Sequence, residues 1–180
     1  MKILISLLFY IFGGIGVSLT IKSGIGVSPF DSLCLSISQA TSIKVGTINF
    51  LGNILFLTIF ILLSKGKHPK KYILMILSIL SFGWVINLFT YTVFGALNID
   101  TYYIKVLVFI IGILISSFSV SIVLYLDVIP FSIENMCIEM SKLSKKSFSL
   151  FRYGFDIISI SISLLLSLGC LLYTSDAADE

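Results

Sequence analysis

The stretch GIGVSPFDS, Gly24–Ser32, interrupts a chain that is otherwise strongly hydrophobic. Of the 180 residues, 57% are hydrophobic and 12% are charged, and the mean hydropathy is +1.10. A soluble domain carries roughly a quarter charged residues, so this composition excludes that class and predicts an integral membrane protein. Two glycines, a proline and a carboxylate would break and charge a transmembrane helix. The stretch is therefore expected to separate two membrane spans rather than to lie within one.

Five apolar runs are long enough to cross the hydrocarbon core of a bilayer, which takes about 20 helical residues. The first run is long for the hydrophobic part of a signal peptide and no clear cleavage site ends it, so we expect it to remain in the membrane. The predicted fold class is an all-α polytopic membrane protein with five transmembrane helices. The predicted spans are approximately Ile3–Ile21, Val45–Leu63, Tyr72–Ala96, Ile104–Leu126 and Phe148–Leu168.

Basic residues cluster in alternate loops, as the positive-inside rule requires of cytoplasmic segments. The loop SKGKHPKK, residues 64–71, holds four lysines, and the loop after the fourth span holds three more with Arg152 at its edge. With Lys2, nine basic residues fall on this side and three on the other. The N-terminus is therefore predicted to be cytoplasmic, in a multi-pass protein of the plasma membrane. Because topology explains the basic excess, no nucleic-acid partner is expected.

Two proline segments, one after the first span and one after the fourth, indicate an internal repeat. When residues 18–37 are aligned with residues 119–138, at an offset of about 101, Pro29 meets Pro130. The segments predict two short helices, 29–41 and 130–141. These are too short to span, so they would lie at the interface or enter the membrane as half-helices. Ser28 is the predicted N-cap of the first, with Pro29 at the first helical position and Asp31 in the first turn.

Three spans per copy would place the two copies in opposite orientations, as in many secondary transporters. The first copy would cover residues 1–97 and the second, incomplete copy residues 98–169. The last eleven residues, CLLYTSDAADE (170–180), match the translation of a common transposon-based sequencing adapter, so we expect them not to be native. The native sequence would then continue past Gly169 into a sixth span. The alternative is a genuine acidic tail.

Polar side chains recur inside two spans at an offset of about 103 residues. Asn49 and Asn53 lie in the second span, and Arg152 and Asp156 lie in the fifth. Asn53 and Asp156 are each about nine residues from the membrane edge, or ~13 Å at ~1.5 Å per residue, which is near the midplane. An ionisable residue at that depth costs roughly 2.5 kcal/mol or more and predicts a functional site. Alternatively, Arg152 and Asp156 simply neutralise each other, and Asp31 serves as a helix cap.

Over about residues 13–156, the sequence resembles the YczE/YitT-like family of bacterial membrane proteins. There, a glycine-rich span leads into a G-x-x-P-x-D segment and a G-T-x-N stretch, and the second copy ends in R-x-x-x-D. The chain departs from the family at Ser132, where the family usually has Asp, and at Ile129, which stands near the place where the family usually has a glycine-rich turn. The family's function is largely undefined, so the resemblance implies a fold and a location more than an activity. The matching residues are Gly24 or Gly26, Pro29, Asp31, Gly46, Thr47, Asn49, Arg152 and Asp156.

Two functions fit these features. The first is a secondary transporter for a small solute or ion, with its site at the repeat interface. The second is a non-transporting accessory protein that docks a partner through the basic loops. The sequence contains no nucleophile–base pair, metal-ligand spacing or nucleotide loop, so we predict no enzyme, metal or cofactor. The expected partners are the lipid bilayer and the unknown solute or ion, and a homo-oligomer is a further candidate. The candidate binding residues are Asn49, Asn53, Arg152 and Asp156, and the candidate gate residues are Ser28, Pro29, Asp31, Pro130, Glu134 and Asn135.

Overall fold

The computed structural model describes residues 2–67, 69–97, 99–126 and 131–176, with side chains described as far as Leu168. Within those ranges all regular structure is helical, as predicted, and seven α-helices are present. Five of these are long and apolar enough to cross a membrane, which confirms the predicted fold class. The helices are α1 (Lys2–Ser23), α2 (Pro29–Thr41), α3 (Val45–Leu63), α4 (Pro69–Asn87), α5 (Tyr102–Leu126), α6 (Ser132–Ser144) and α7 (Phe148–Asp176).

The five long helices follow the predicted spans, and α3 has the predicted bounds. α4 differs most, because it begins at Pro69 and passes into a π-helical segment, Leu88–Val93. α7 continues to Asp176, so its last turns include part of the segment expected to be non-native. Large apolar side chains such as Leu55, Leu80 and Leu164 are exposed on these helices. Their exposure fits a protein embedded in a membrane, where lipid tails take the place of water.

The most extensive helix pair is formed by α1 and α5. A Cβ atom built on Gly16 would lie 2.8 Å from the carbonyl oxygen of Gly112, and one built on Gly112 would lie 2.9 Å from that of Gly16. Gly13 faces Ser119 and Thr20 packs on Gly112, so α1 and α5 run antiparallel. Glycine permits this approach because side chains would hold the two backbones apart.

The two short helices pack on long helices from the other half of the chain. α2 packs on α7, and α6 packs on α3. The hydroxyl groups of Ser32 and Ser163 lie 2.8 Å apart, and those of Ser36 and Ser167 lie 3.3 Å apart, so α2 and α7 run parallel. α2 has the predicted bounds, whereas α6 lies two to three residues later than the predicted 130–141. Pro130, the predicted start of that helix, lies outside the described residues.

Matching features of the two short helices recur 103 residues apart. Each helix has 13 residues, and each is followed by a residue in the left-handed conformation, Ser42 (φ 59°) or Lys145 (φ 56°). Ser38 Oγ donates to the carbonyl oxygen of Ile43 at 2.5 Å, and Ser141 Oγ donates to that of Lys146 at 2.6 Å. An offset of 103 residues places Ser132 opposite Pro29, whereas the sequence alignment at 101 residues matched Pro29 with Pro130.

Replacing Gly112 with valine is expected to disrupt the pairing of α1 and α5, because the new side chain would collide with the α1 backbone at Gly16. Overpacking of this kind costs typically 1–3 kcal/mol. We expect a lower apparent Tm for the purified protein in detergent. Gly154→Val is the matched control, because nothing lies within 4 Å of a Cβ at that position. Equal Tm values for the two variants would contradict this account of the α1–α5 contact.

The cytoplasmic placement of the loop between α3 and α4 remains a prediction that labelling can test. Cys34 and Cys137 are each 1% exposed, so these thiols are poor reporters of sidedness. New cysteines at the exposed positions Lys67 and Tyr103 avoid this problem. A membrane-impermeant maleimide should label Tyr103→Cys in intact cells, whereas it should label Lys67→Cys only after the cells have been permeabilised. The wild-type chain supplies the background, and labelling of Lys67→Cys in intact cells would reverse the assigned orientation.

Candidate functional site

A chain of hydrogen bonds links the start of α2 to α3. Ser28 Oγ donates to Asp31 Oδ2 at 2.6 Å, and Asn49 Nδ2 donates to Asp31 Oδ1 at 3.0 Å. Asn53 Nδ2 donates in turn to Asn49 Oδ1 at 2.9 Å. Asp31 is 8% exposed and Asn49 is 2% exposed, so both are largely removed from solvent. We call these four residues the first polar network.

Local sequence explains why the first polar network forms at the end of a helix. Ser28 caps α2, because its Oγ accepts from the backbone N–H of Asp31 at 3.2 Å, and Pro29 occupies the first turn, where its missing N–H costs nothing. This confirms the predicted N-cap. Asn49 and Asn53 are four residues apart, so they lie on one face of α3. Asp31 therefore does more than stabilise its own helix, because it also joins α2 to α3.

The second polar network consists of Glu134 on α6 with Arg152 and Asp156 on α7. Arg152 Nη1 donates to Asp156 Oδ1, and Arg152 Nε forms an ion pair with Glu134 Oε1 at 3.9 Å. Glu134 Oε2 is buried without a hydrogen-bond partner. Asn135, a predicted gate residue, instead donates to the backbone oxygen of Phe131 at 2.7 Å. Arg152 therefore pairs with Asp156, as the sequence analysis considered, and also with Glu134, which the sequence analysis had assigned to a gate.

The carboxylates on the two short helices differ in their counter-charges. Burial raises the pKa of Asp31, and the hydrogen bonds from Ser28 and Asn49 offset part of that rise. Burial also raises the pKa of Glu134, where the Arg152 guanidinium lowers it and the Asp156 carboxylate raises it. None of the ion pairs among the described residues involves Asp31. Asp31 is therefore held by neutral donors, whereas Glu134 faces a built-in cation.

The four predicted binding residues divide between the two networks. Asn49 and Asn53 belong to the first and Arg152 and Asp156 to the second, and no hydrogen bond or ion pair within the described residues joins the two pairs. Three aromatic rings lie between α2, α3 and α7. Phe56 packs on Phe30 with ring centroids 5.2 Å apart and on Phe155 with centroids 4.8 Å apart. The structure thus provides two polar centres where a single shared site was expected.

The two networks share one spacing along the chain. The pairs Asp31–Asn49 and Glu134–Arg152 are each 18 residues apart, and the pairs Asn49–Asn53 and Arg152–Asp156 are each four apart. At this spacing Glu134 corresponds in position to Asp31, whereas the sequence alignment had matched Asp31 with Ser132. The polar residues of the spans recur at an offset of about 103 residues. Aligning the short helices at that same offset would have matched Asp31 with Glu134.

A cleft of about 310 Å³ lies against Asp31, between α1, α2 and α5. Sequence reasoning did not identify the hydroxyl groups of α1 and α5 as part of a site, because serine and threonine in membrane helices are common packing residues. Among the described residues, no three His, Cys, Asp or Glu side chains come close enough together to hold a metal ion. The lining residues of the cleft are Val17, Thr20, Val27, Ser28, Asp31, Phe109, Ile113, Ser116 and Ser117.

The N-terminus of α3 explains most of the G-T-x-N stretch. The side chain of Asn87 accepts from the backbone N–H of Gly46 at 2.8 Å and donates to Thr47 Oγ1 at 3.0 Å. The Tyr91 hydroxyl group accepts from the N–H of Val45 at 3.1 Å. These bonds satisfy N–H groups that have no partner within the helix. Gly46 and Thr47 therefore have structural roles, whereas Asn49 reaches Asp31.

Comparisons with known proteins identify relatives but no activity. A family model described as "Family of unknown function (DUF6198)" matches residues 1–175. "Uncharacterized protein YyaS" of Bacillus subtilis (strain 168) is 26% identical over 133 residues, which cover 74% of this chain and 65% of that protein. No solved structure matches the chain. Neither match carries the YczE or YitT name, so that resemblance stays a prediction.

Replacing Asn49 with alanine is expected to destabilise the protein, because it removes a donor from the buried Asp31 carboxylate and an acceptor from Asn53. A buried polar group that loses its partner costs about 1–3 kcal/mol. We expect a lower apparent Tm in detergent. Thr58→Ala is the control on the same helix, since Thr58 is exposed and bonds within α3. If the two variants had the same Tm, the first network would contribute little to stability.

Proposed function

The chain belongs to the DUF6198 family of unknown function, and we propose that it is a secondary transporter for a small solute or ion. In this proposal the chain is built from two copies of one unit in opposite orientations, and each copy contributes one of the two polar networks. The unit consists of a long helix, a short half-helix and a second long helix that holds two polar residues. α1, α2 and α3 form the first copy, and α5, α6 and α7 form the second.

The observation that carries the proposal is the matched spacing of the two polar networks, 18 and then four residues in each. Buried charged and amide side chains within membrane-spanning regions are costly and commonly mark a substrate or ion pathway. Simple neutralisation would account for Arg152 and Asp156, but it leaves unexplained the group of Asp31, Asn49 and Asn53, which contains no cation. A polar centre that recurs in both halves of the chain fits a pathway that is alternately open to the two sides.

The packing of the helices supports the opposite orientation of the copies. α1 and α5 occupy equivalent places in the two copies and run antiparallel. α2 packs on α7 while α6 packs on α3, so exchanging the copies reproduces these contacts. Secondary transporters with inverted repeats place their sites at such an interface and use broken or short helices there.

The two short helices are the gates of the proposed cycle. With the N-terminus in the cytoplasm of a plasma-membrane protein, α2 lies toward the outer side and α6 toward the inner side. Ser28, Pro29 and Asp31 would move with the outer gate, and Glu134 and Asn135 with the inner gate. Pro130, the remaining candidate of the inner gate, lies outside the described residues. Each gate carries one carboxylate that contacts the long helix after it, which couples gate position to the polar centre.

We expect Asp156→Asn to reduce transport by at least about tenfold, equivalent to about 1.4 kcal/mol, because Arg152 would lose the nearer of its two ion-pair partners within the pathway. Purified protein in proteoliposomes on a solid-supported membrane would be tested for currents evoked by Na⁺, K⁺, ammonium compounds, amino acids and nucleosides. Asp100→Asn is the control, since it removes an exposed carboxylate.

An unchanged current in Asp156→Asn would remove Asp156 from the pathway. The absence of current and of tracer uptake for every solute, with folded wild-type protein, would contradict transport. A stable partner that is lost when Lys65, Lys67, Lys70 and Lys71 are neutralised would then favour the accessory role.

A further inference from the structure

We propose that the cleft beside Asp31 binds the primary ammonium group of a small amphipathic amine, with Asp31 as its counter-ion. The inference names a substrate class for the first polar network and rests on the proposed function only in treating that amine as the transported solute. Binding itself requires the cleft and its lining alone. The charge of Asp31, the hydrogen-bonding character of the lining and the shape of the cleft each support it.

Asp31 is a largely buried carboxylate whose partners are both neutral. Its two oxygens accept hydrogen bonds from Ser28 and Asn49, and a carboxylate can accept about four in total. A buried charge is normally paired, because desolvation without a partner is costly. The second polar network contains its own cation in Arg152. The first network contains no cation, and the cleft beside Asp31 provides space in which a cation can bind.

Of the four hydroxyl groups that line the cleft, those of Thr20, Ser28 and Ser116 present acceptors rather than donors. Thr20 Oγ1 donates its proton to the backbone oxygen of Val17 at 2.8 Å, and Ser116 Oγ donates to that of Gly112 at 2.8 Å. Ser28 Oγ donates to Asp31 itself. These three oxygens are left with lone pairs, which suit a ligand that only donates. A primary ammonium group has three donors and no acceptor, whereas a carboxylate or phosphate would find no donor in this set.

The other residues that line the cleft are largely apolar, so the ligand should carry an apolar part beside its ammonium group. Val17, Val27, Phe109 and Ile113 supply apolar surface, and the ring of Phe109 offers a further attraction to a cation nearby. The volume of about 310 Å³ is at the lower end for small-molecule sites and exceeds the space that a bare alkali ion fills. Ile113 is 41% exposed, so the cleft is open toward the lipid-facing side of α5. A free amine and an ethanolamine lipid headgroup both carry the required group.

The test measures binding by the full chain in detergent and in lipid nanodiscs. n-Butylammonium should raise the apparent Tm with a saturating dose response, whereas 1-butanol, butyrate and Na⁺ should not. In the lipid arm, phosphatidylethanolamine should raise Tm relative to phosphatidylglycerol if a headgroup is the ligand. A response to butylammonium identifies a soluble source, and a response to the lipid alone identifies the headgroup. Asp31→Asn should weaken the response at least tenfold, and Asp100→Asn should retain it.

A second pair of variants keeps the test decisive if Asp31→Asn does not fold. Ile113→Trp should fill the cleft and remove the response while leaving the first polar network intact. Ile110→Trp is its control, because Ile110 is 51% exposed on the same helix and does not line the cleft. Equal responses in both tryptophan variants, or no response in the wild-type chain, would overturn the proposal. Amine binding without flux of any tested solute would leave this site standing and contradict transport. Flux of a solute in a protein that shows no amine binding would support transport and overturn this site.

Discussion

Polar groups that the fold removes from water must find their partners inside the protein, and both polar networks follow from that constraint. Lipid tails offer no hydrogen bonds either, so a helix end or carboxylate exposed to them is costly. The start of α2 meets the requirement through Ser28, Asp31 and Asn49. The start of α3 meets it through Asn87 and Tyr91 on the neighbouring helix.

The close contact of α1 with α5 joins the two halves of the chain. Glycine lets the two backbones approach, and each short helix also packs on a long helix of the other half. Serine hydroxyl groups then connect α2 to α7, where Ser36 and Ser163 lie 2.7 Å apart. Van der Waals packing and hydroxyl bonds of this kind hold membrane helices together, since burial from water contributes little between them.

The two polar networks differ in charge although their spacing is the same. The first holds one carboxylate with amide and hydroxyl donors, and the second holds two carboxylates with a guanidinium group. If its carboxylates are ionised, each network carries one net negative charge. The two therefore have comparable demands for positive charge, which a proton or a bound cation can meet. In the proposed function, this balance favours cationic species over anions.

The sequence by itself determined the five spans, the two short helices and the N-cap at Ser28, because hydropathy, helix length and capping chemistry are local properties. It also identified Asn49, Asn53, Arg152 and Asp156 as unusual at their depth. The tertiary structure decided which of them meet. Asp31 joins the asparagines, Glu134 joins Arg152, and the aromatic side chains of Phe30, Phe56 and Phe155 pack between α2, α3 and α7. These contacts depend on how α2 packs against α3 and α7 and how α6 packs against α3 and α7, and that packing brings together residues that are distant in the sequence.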